Sequence, residues 1–397
     1  MLRPPVISPV RLPGMRPHRD TPSGRLDRAL RRVERRHRVG RKIRTRTVFE
    51  READWARAGL WLLVLVPRVL CTGSRRHRSW LGSIWLCYRH NLQPNYAEFL
   101  VPGACDPADV IDISRCGACL RWVRAFGDRD QAHLIDDKSA FGAYFSSHGL
   151  PVAREFARIA PDNKPPAPPD EARFLFVKRS FQQGGNGVSS WARDGNEWVS
   201  KGRRLVWEQL VARLRADLGS PDEMILVQER LRNHRDISDL SESALNTLRI
   251  VTLIDPDRPD AGPVVVTAAY RMGVRDHVVD NADRGGIASG VSGEVLTDAV
   301  NIYTCEVHAA HPTTGAPIRG RVLPMYEEAA ELALQAHRVV PGVITVGWDI
   351  ALTDRGPVLI EGNTLWGFDL VQVPNQVGIG ATAFAAVASL LERDPPV

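Results

Sequence analysis

Between residues 343 and 363 apolar and polar positions alternate with period two. Ile344, Val346, Trp348, Ile350 and Leu352 interleave with Thr345, Gly347 and Asp349, the pattern of a half-buried strand. Asp354, Arg355 and Gly356 predict a three-residue hairpin loop with Gly356 in the left-handed position. That loop pairs Thr353 with Pro357 and sets Asp349 opposite Glu361, with Asn363 on the same face. Upstream, strands are predicted over 173–178, 187–193, 224–231, 248–254 and 264–272, and helices over 206–218, 326–339 and 381–392. A shorter helix begins at Asp137-Lys138, and Pro165-Pro-Ala-Pro-Pro169 is a stiff connector. The chain has no internal repeat, and this succession is α+β with antiparallel sheets rather than a run of βαβ units.

The first third reads differently. Residues 1–24 are rich in Pro and Arg and are expected to be a disordered basic tail. Leu26, Leu30 and Val33 recur at helical spacing among many arginines. Trp61, Trp80, Trp85, Tyr88 and Tyr96 follow, the expected core of a small, mainly helical N-terminal domain over 25–130, or a docking surface.

Length and charge narrow the classes. A chain of 397 residues has room for two or three domains, and its 44% hydrophobic and 25% charged residues are ordinary for a globular protein. Much of the formal net charge of +6 sits in the basic run 25–46. That run is expected to be a solvated helix face, with peripheral contact to an anionic membrane surface as the alternative. Aromatic and basic residues do not interleave there, so no nucleic-acid partner is expected. The apolar run 60–66 ends at Pro67 and Arg68, short of the roughly 20 residues that span a bilayer. No secretory signal is legible, and the cytoplasm is the expected location. Cys116 and Cys119 have the spacing of a zinc knuckle or redox pair, but only Cys105 and His133 lie near them. Two small residues on one helix turn is the simpler expectation.

Two segments carry candidate chemistry. Asp349, Glu361 and Asn363 offer two carboxylates and an amide on one face, a hard oxygen site suited to Mg²⁺ together with phosphate. Like charges this close are costly without a cation. The second segment runs from the strand Phe174-Leu-Phe-Val-Lys178 through the turn containing Gly184, Gly185 and Gly187 into Val188-Ser-Ser-Trp191. Glycines let backbone N–H groups crowd onto phosphate, and a lysine adds a point charge. The spacing is neither that of a Walker loop nor that of a dinucleotide fold.

Taken in order, Lys138, Lys178 with its glycine turn, Val227-Gln-Glu-Arg-Leu231 and Asp349…Glu361-x-Asn363 resemble the ATP-grasp superfamily. Asn246-Thr-Leu-Arg249, Tyr270-Arg-Met-Gly273, Asp280-Asn281 with Gly285-Gly286, and Gly347-Trp-Asp-Ile look like its sugar-transfer-associated group, related to glutamate ligases. The resemblance covers roughly 130–385. It implies an ATP-grasp fold, with a lid subdomain over 131–232 and a metal-binding subdomain over 233–397, behind the helical N-terminal domain. Lys138 and Lys178 would hold nucleotide phosphates under Gly184, Gly185 and Gly187. Gln228, Glu229, Arg230 and Leu231 would border adenine, and Asp349, Glu361 and Asn363 would bind Mg²⁺. Asn281, Gly285 and Gly286 would form a loop on the substrate side, where a tight surface turn is the alternative. Many members carry an arginine two residues before the metal-binding aspartate, whereas this chain has Gly347. The catalytic role beside Lys178 then falls to Arg271 or Arg249, unless these only make structural ion pairs. The activity implied is ATP-dependent joining of a carboxylate to an amine through an acyl phosphate. A phosphotransferase or a nucleotide-binding scaffold is the alternative.

Overall fold

The structure is a computed structural model. It describes residues 25, 26, 28–30, 106 and 109–395, apart from 112, 181–187, 221–222, 242, 276–279, 281–284 and 303–305. The tail 1–24, the aromatic zone 60–100, the glycine turn with Gly184, Gly185 and Gly187, and Asn281 lie outside the described residues.

Three helices come first: α1 (Ile113–Arg124), α2 (Arg129–Asp136) and α3 (Lys138–Ser147). Asp128 caps α2 by accepting the Asp130 and Gln131 N–H groups at 2.9 and 3.1 Å. Asp137 ends α2 and caps α3, accepting the Ser139 N–H at 2.8 Å, so Lys138 is the first residue of a fixed helix.

A six-stranded sheet follows, built from β1 (Glu155–Ile159), β2 (Phe174–Arg179), β3 (Ser189–Asp194), β4 (Glu197–Ser200), β5 (Arg203–Leu205) and β6 (Ile225–Glu229). Its order is β1-β6-β2-β3-β4-β5, every pair antiparallel. Leu175, Val177, Ile225 and Val227 turn one face toward α4 (Trp207–Ala216), whose Trp207, Leu210, Val211 and Leu214 close a core of their own. Alternation turns Phe176, Lys178, Leu226 and Gln228 to the other face.

The larger sheet comprises β7 (Thr247–Ile254), β8 (Pro263–Met272), β9 (Ile287–Ser292), β10 (Val295–Val300), β11 (Val307–His308), β12 (Thr345–Thr353) and β13 (Gly356–Asn363). Its order is β11-β10-β9-β8-β7-β12-β13, again antiparallel throughout. One face, with Leu248, Ile250, Tyr270, Trp348 and Ile350, packs on α5 (Tyr326–Arg338) and on Phe141, Phe145 and Ile135 of α3 and α2. The opposite face is divided. Val251, Leu253 and Ala269 lie under Trp366, Phe368, the α1 residues Cys119, Leu120 and Val123, and Leu26 and Leu30. The remainder of that face carries Thr247, Arg249, Arg271 and Asp349, and this is where the chemistry gathers. Among the described residues no helix is long and apolar enough to cross a membrane.

The hairpin departs from its expected turn. Thr353 pairs with Gly356 rather than Pro357, so the turn is one residue tighter. Ile360 then has no counterpart, and this bulge restores the register so that Asp349 faces Glu361 and Gly347 faces Asn363. The helix expected over 381–392 is also broken. Short 3₁₀ turns at Ile379–Ala381 and Ala383–Val387 precede α7 (Ala388–Leu391), because the Thr382 hydroxyl accepts the Phe384 N–H and restarts the chain. A helix the sequence pattern did not indicate, α6 (Asp369–Asn375), lies across β9. A side chain on Gly290 would meet the Pro374 carbonyl at 2.6 Å, so glycine is what lets helix and strand touch.

Candidate active site

Asp349 sits at the centre of the charged half-face, 3% exposed. The register places Arg249 of β7 beside it, and Arg249 grips it with two groups: Nε donates to Oδ1 and Nη2 donates to Oδ2 at 3.0 Å. Arg271 of β8 reaches the same carboxylate with one group, Nη1 to Oδ2 at 2.9 Å. Its other terminal nitrogen donates to Asp280 Oδ1 at 3.1 Å, and the Thr247 hydroxyl donates to Asp280 Oδ2. Burial alone would raise the Asp349 carboxyl, but the two guanidinium groups hold it down at about 2. Asp280 goes the other way, because burial, helped by the Asp349 charge, outweighs Arg271, the Thr247 hydroxyl and Arg249 and raises its carboxyl. Arg271 loses by burial and gains more from Asp280, Asp349 and Glu361, so its charge is secure.

On the other side of Asp349 stands Glu361, close enough for its side chain to help lower the Asp349 carboxyl. Lys138 Nζ lies 3.9 Å from Glu361 Oε2. Lys178 enters the same cluster from the smaller sheet. Burial pushes its ammonium down to about 8, while Glu361 raises it, Lys138 lowers it and Glu155 raises it. Lys178 is 9% exposed, and no hydrogen bond or ion pair reaches its ammonium among the described residues. Burial of the lysine disfavours its charge, so an arriving anion would stabilise it. The strand leading into the glycine turn thus brings Lys178 into the field of the acidic hairpin.

Mg²⁺ fits the donors on two observations. Asn363 keeps a buried Nδ2 with no partner, and a half-turn of the amide would aim Oδ1 there instead. Asp349 receives three N–H groups and has about four lone-pair positions, so about one remains. Among the described residues no three His, Cys, Asp or Glu side chains form a metal cluster by themselves. The amide and phosphate oxygens must complete the coordination. Lys138, Lys178, Arg249 and Arg271 are balanced by Asp280, Asp349, Glu361 and Glu155, so the cluster as a whole is near neutral and suits a cation entering together with its anion.

The other expected residues are placed as follows. Gln228 pairs with Phe176 across the cleft face of the smaller sheet. Glu229 is tied at both oxygens, to the Arg154 N–H at 3.3 Å and to Arg355 Nη2 at 3.0 Å. Arg230 donates to the Ser243 carbonyl at 3.1 Å. Leu231 packs on Ala351 and Val358 of the hairpin, carrying the chain from the smaller sheet to the larger. Gly285 takes a positive φ of 84°, and its carbonyl accepts from Asn301 at 3.2 Å; Gly286 is buried. Cys116 and Cys119 are buried thiols on α1, Cys116 donating to the Trp366 carbonyl at 3.5 Å, and His133 points outward. Gly347 has a steric explanation: a Cβ there would meet Trp366 Cβ at 2.6 Å and Arg249 Cδ at 3.3 Å. The neighbouring strand's arginine fills that space instead.

Three contributors lie outside the site residues expected from sequence. Asp280 and Thr247 anchor Arg271. Asp136 accepts the Thr364 N–H at 2.9 Å and the Thr364 hydroxyl at 2.7 Å, and Arg124 braces it at 2.8 Å, fixing the chain just past Asn363. An acidic residue beside a glycine pair was the available signal for Asp280; for Asp136 the sequence offers none.

Comparison with known proteins gives the following. The family model described as sugar-transfer associated ATP-grasp matches residues 120–386. Among solved structures, D-alanine–D-alanine ligase from Bacillus anthracis, complexed with ATP, is similar at TM-score 0.36 and 10% identity, over 61% of this chain and 59% of that one. The D-alanine–D-alanine ligase from Coxiella burnetii gives 0.39 and 11%, over 67% and 58%. VanG D-Ala:D-Ser ligase from Enterococcus faecalis gives 0.40 and 15%, over 67% and 63%. This chain thus spans less than two thirds of each of these three. No curated protein matches it.

Proposed function

Because the chain belongs to the sugar-transfer associated ATP-grasp family, we propose that it is an ATP- and Mg²⁺-dependent ligase joining a carboxylate to an amine through an acyl phosphate. The observation that carries this reading is Lys178, a largely buried lysine that makes no hydrogen bond or ion pair among the described residues and lies in the field of Glu361, Lys138 and Glu155. A nucleotide's phosphates supply an anion to that lysine. In this reading Lys138 and Lys178 hold the phosphates, Phe176, Leu226 and Gln228 offer a partly apolar surface to adenine, and Asp349, Glu361 and Asn363 hold the cation. Bound Mg²⁺ would neutralise charge on the terminal phosphates. The substrate carboxylate attacks the γ-phosphorus and ADP leaves. The amine then attacks the acyl carbon, and phosphate departs with the C–O electron pair. Positioning and charge neutralisation carry such a transfer, so the protein needs no covalent step of its own. The family's description suggests substrates from glycoconjugate or polysaccharide synthesis, and an ATP requirement suits the cytoplasm.

A second reading, a nucleotide-binding scaffold, draws on one feature: both Arg249 and Arg271 are already paired with carboxylates, and Gly347 offers no third arginine. ADP release across a panel of amino acids, sugar acids and amines separates the two, with hydroxylamine added to trap acyl phosphate. Hydroxamate formation with one carboxylate supports the ligase. Nucleotide binding without ADP release from any combination supports the scaffold, and ADP release without hydroxamate supports a phosphotransferase.

A further inference from the structure

Arg249 and Arg271 both touch Asp349, but they are not equivalent. Arg249 holds it with two parallel donors, and its stem is lodged against the Gly347 backbone. Arg271 holds it with one donor, and its Nε is buried with no partner among the described residues. A bidentate pair is the stronger and more directional of the two. When a cation draws on Asp349, the contact that yields is therefore the single one. An arginine freed in this way would collapse back onto the carboxylate, or turn away, unless something else held it. Asp280 is that second anchor. It is 8% exposed, bonds Arg271 Nη2 at 3.1 Å, and is fixed in turn by the Thr247 hydroxyl. Thr247 and Arg271 are direct cross-strand partners, so anchor and arginine are set by one register.

We propose that Asp280 is a positioning residue that keeps Arg271 turned toward the phosphoryl site when Asp349 is given over to the cation. The unpartnered Nε and the released Nη1 are then the two donors left to meet phosphate oxygens. Arg249 remains on Asp349 as a fixed brace, which resolves the choice between the two arginines in favour of Arg271. The proposal rests on the nucleotide-binding reading above and adds a coupling between cation and nucleotide that runs through Asp280.

The test is the affinity for a non-hydrolysable ATP analogue, measured by calorimetry with Mg²⁺ and with EDTA, in the full chain and three variants. In Asp280→Asn the anchor keeps at most a neutral acceptor, so the charge of Asp349 holds Arg271 more strongly and the arginine competes with the cation. The gain in affinity that Mg²⁺ confers is expected to shrink by about tenfold, while affinity in EDTA stays within about twofold of wild type. Asp280→Glu should recover most of the gain. Arg271→Lys, which lacks the forked donors to bridge two carboxylates, should reproduce the loss. A uniform loss with and without Mg²⁺, or no change in either, overturns the proposal and reduces Asp280 to a structural residue. Failure of the wild-type chain to bind the analogue would instead overturn the nucleotide reading itself, and this proposal with it. Should Asp280→Asn fail to fold, Thr247→Val decides the matter, with the same split expected from it.

Discussion

The two faces of β12 carry two polar networks one residue apart, and they differ in what they leave undone. Beneath the sheet, Trp348 Nε1 donates to Thr252 Oγ1 at 2.8 Å, that hydroxyl meets His337 Nδ1 at 2.7 Å, and His337 Nε2 meets the Val343 carbonyl at 2.6 Å. A carbonyl only accepts, so Nε2 carries the proton, Nδ1 accepts from Thr252, and the chain is closed. Above the sheet, Asp349 joins Arg249 and Arg271. There Arg271 Nε and Asn363 Nδ2 have no partner among the described residues, and Lys178 stands nearby with no hydrogen bond or ion pair among them. A neutral network with every group satisfied holds a core in register. A charged one with unpartnered donors is organised around something still to arrive. The contrast assigns structure to one face and chemistry to the other.

The harshest way to break it is Asp349→Ala, which leaves two buried guanidinium groups facing each other. Stability is expected to fall by about 3–5 kcal/mol in chemical denaturation. Acid should then separate the faces in order. Burial holds His337 down to about 4, below its ordinary 6.5, so the unfolded chain takes up that proton first. Stability is present above about 6.5 and lost as pH falls through about 4, on the order of 3 kcal/mol in all. On the upper face Asp349 itself should persist further, because it is held at about 2, although Asp280 beside Arg271 is raised and protonates earlier; the Asp349 contribution is present above 3.8 and is lost as pH falls through about 2. Denaturant melts at half-unit pH steps would resolve these two windows, and a single transition would break the comparison. Smallest of the three, Thr252→Val removes the link between Trp348 and His337 and should lower stability by about 1–3 kcal/mol, with nucleotide affinity untouched.

How much of this the sequence displayed depended on periodicity. Ile344 to Leu352 alternates cleanly, so the hairpin and the facing of Asp349 and Glu361 were legible. The turn was misjudged by one residue, and the bulge at Ile360 concealed the error, because no pattern distinguishes a tight turn plus a bulge from a longer loop. The strand Ile287–Ser292 went unread: Ala288, Ser289 and Gly290 are small, and their burial comes from α6 lying over Gly290 rather than from any apolar stripe. Within the site, Lys138 and Lys178 could be read from residue type and order. Asp280 stood in a legible block, but its contact with Arg271 did not show, and Asp136 could not be read at all, since its role comes from a contact 228 residues away in sequence. Gly347 looked like a missing part, and only packing shows Arg249 and Trp366 filling its space.

The most direct test of the central claim is Lys178→Met, read by nucleotide affinity and melting temperature together. Replacing a largely buried lysine whose charge burial disfavours should leave the melting temperature unchanged or higher, while affinity for Mg·ATP falls by at least about tenfold. Undiminished affinity in that variant would contradict the account, because the cleft between the two sheets would then not be where phosphate binds.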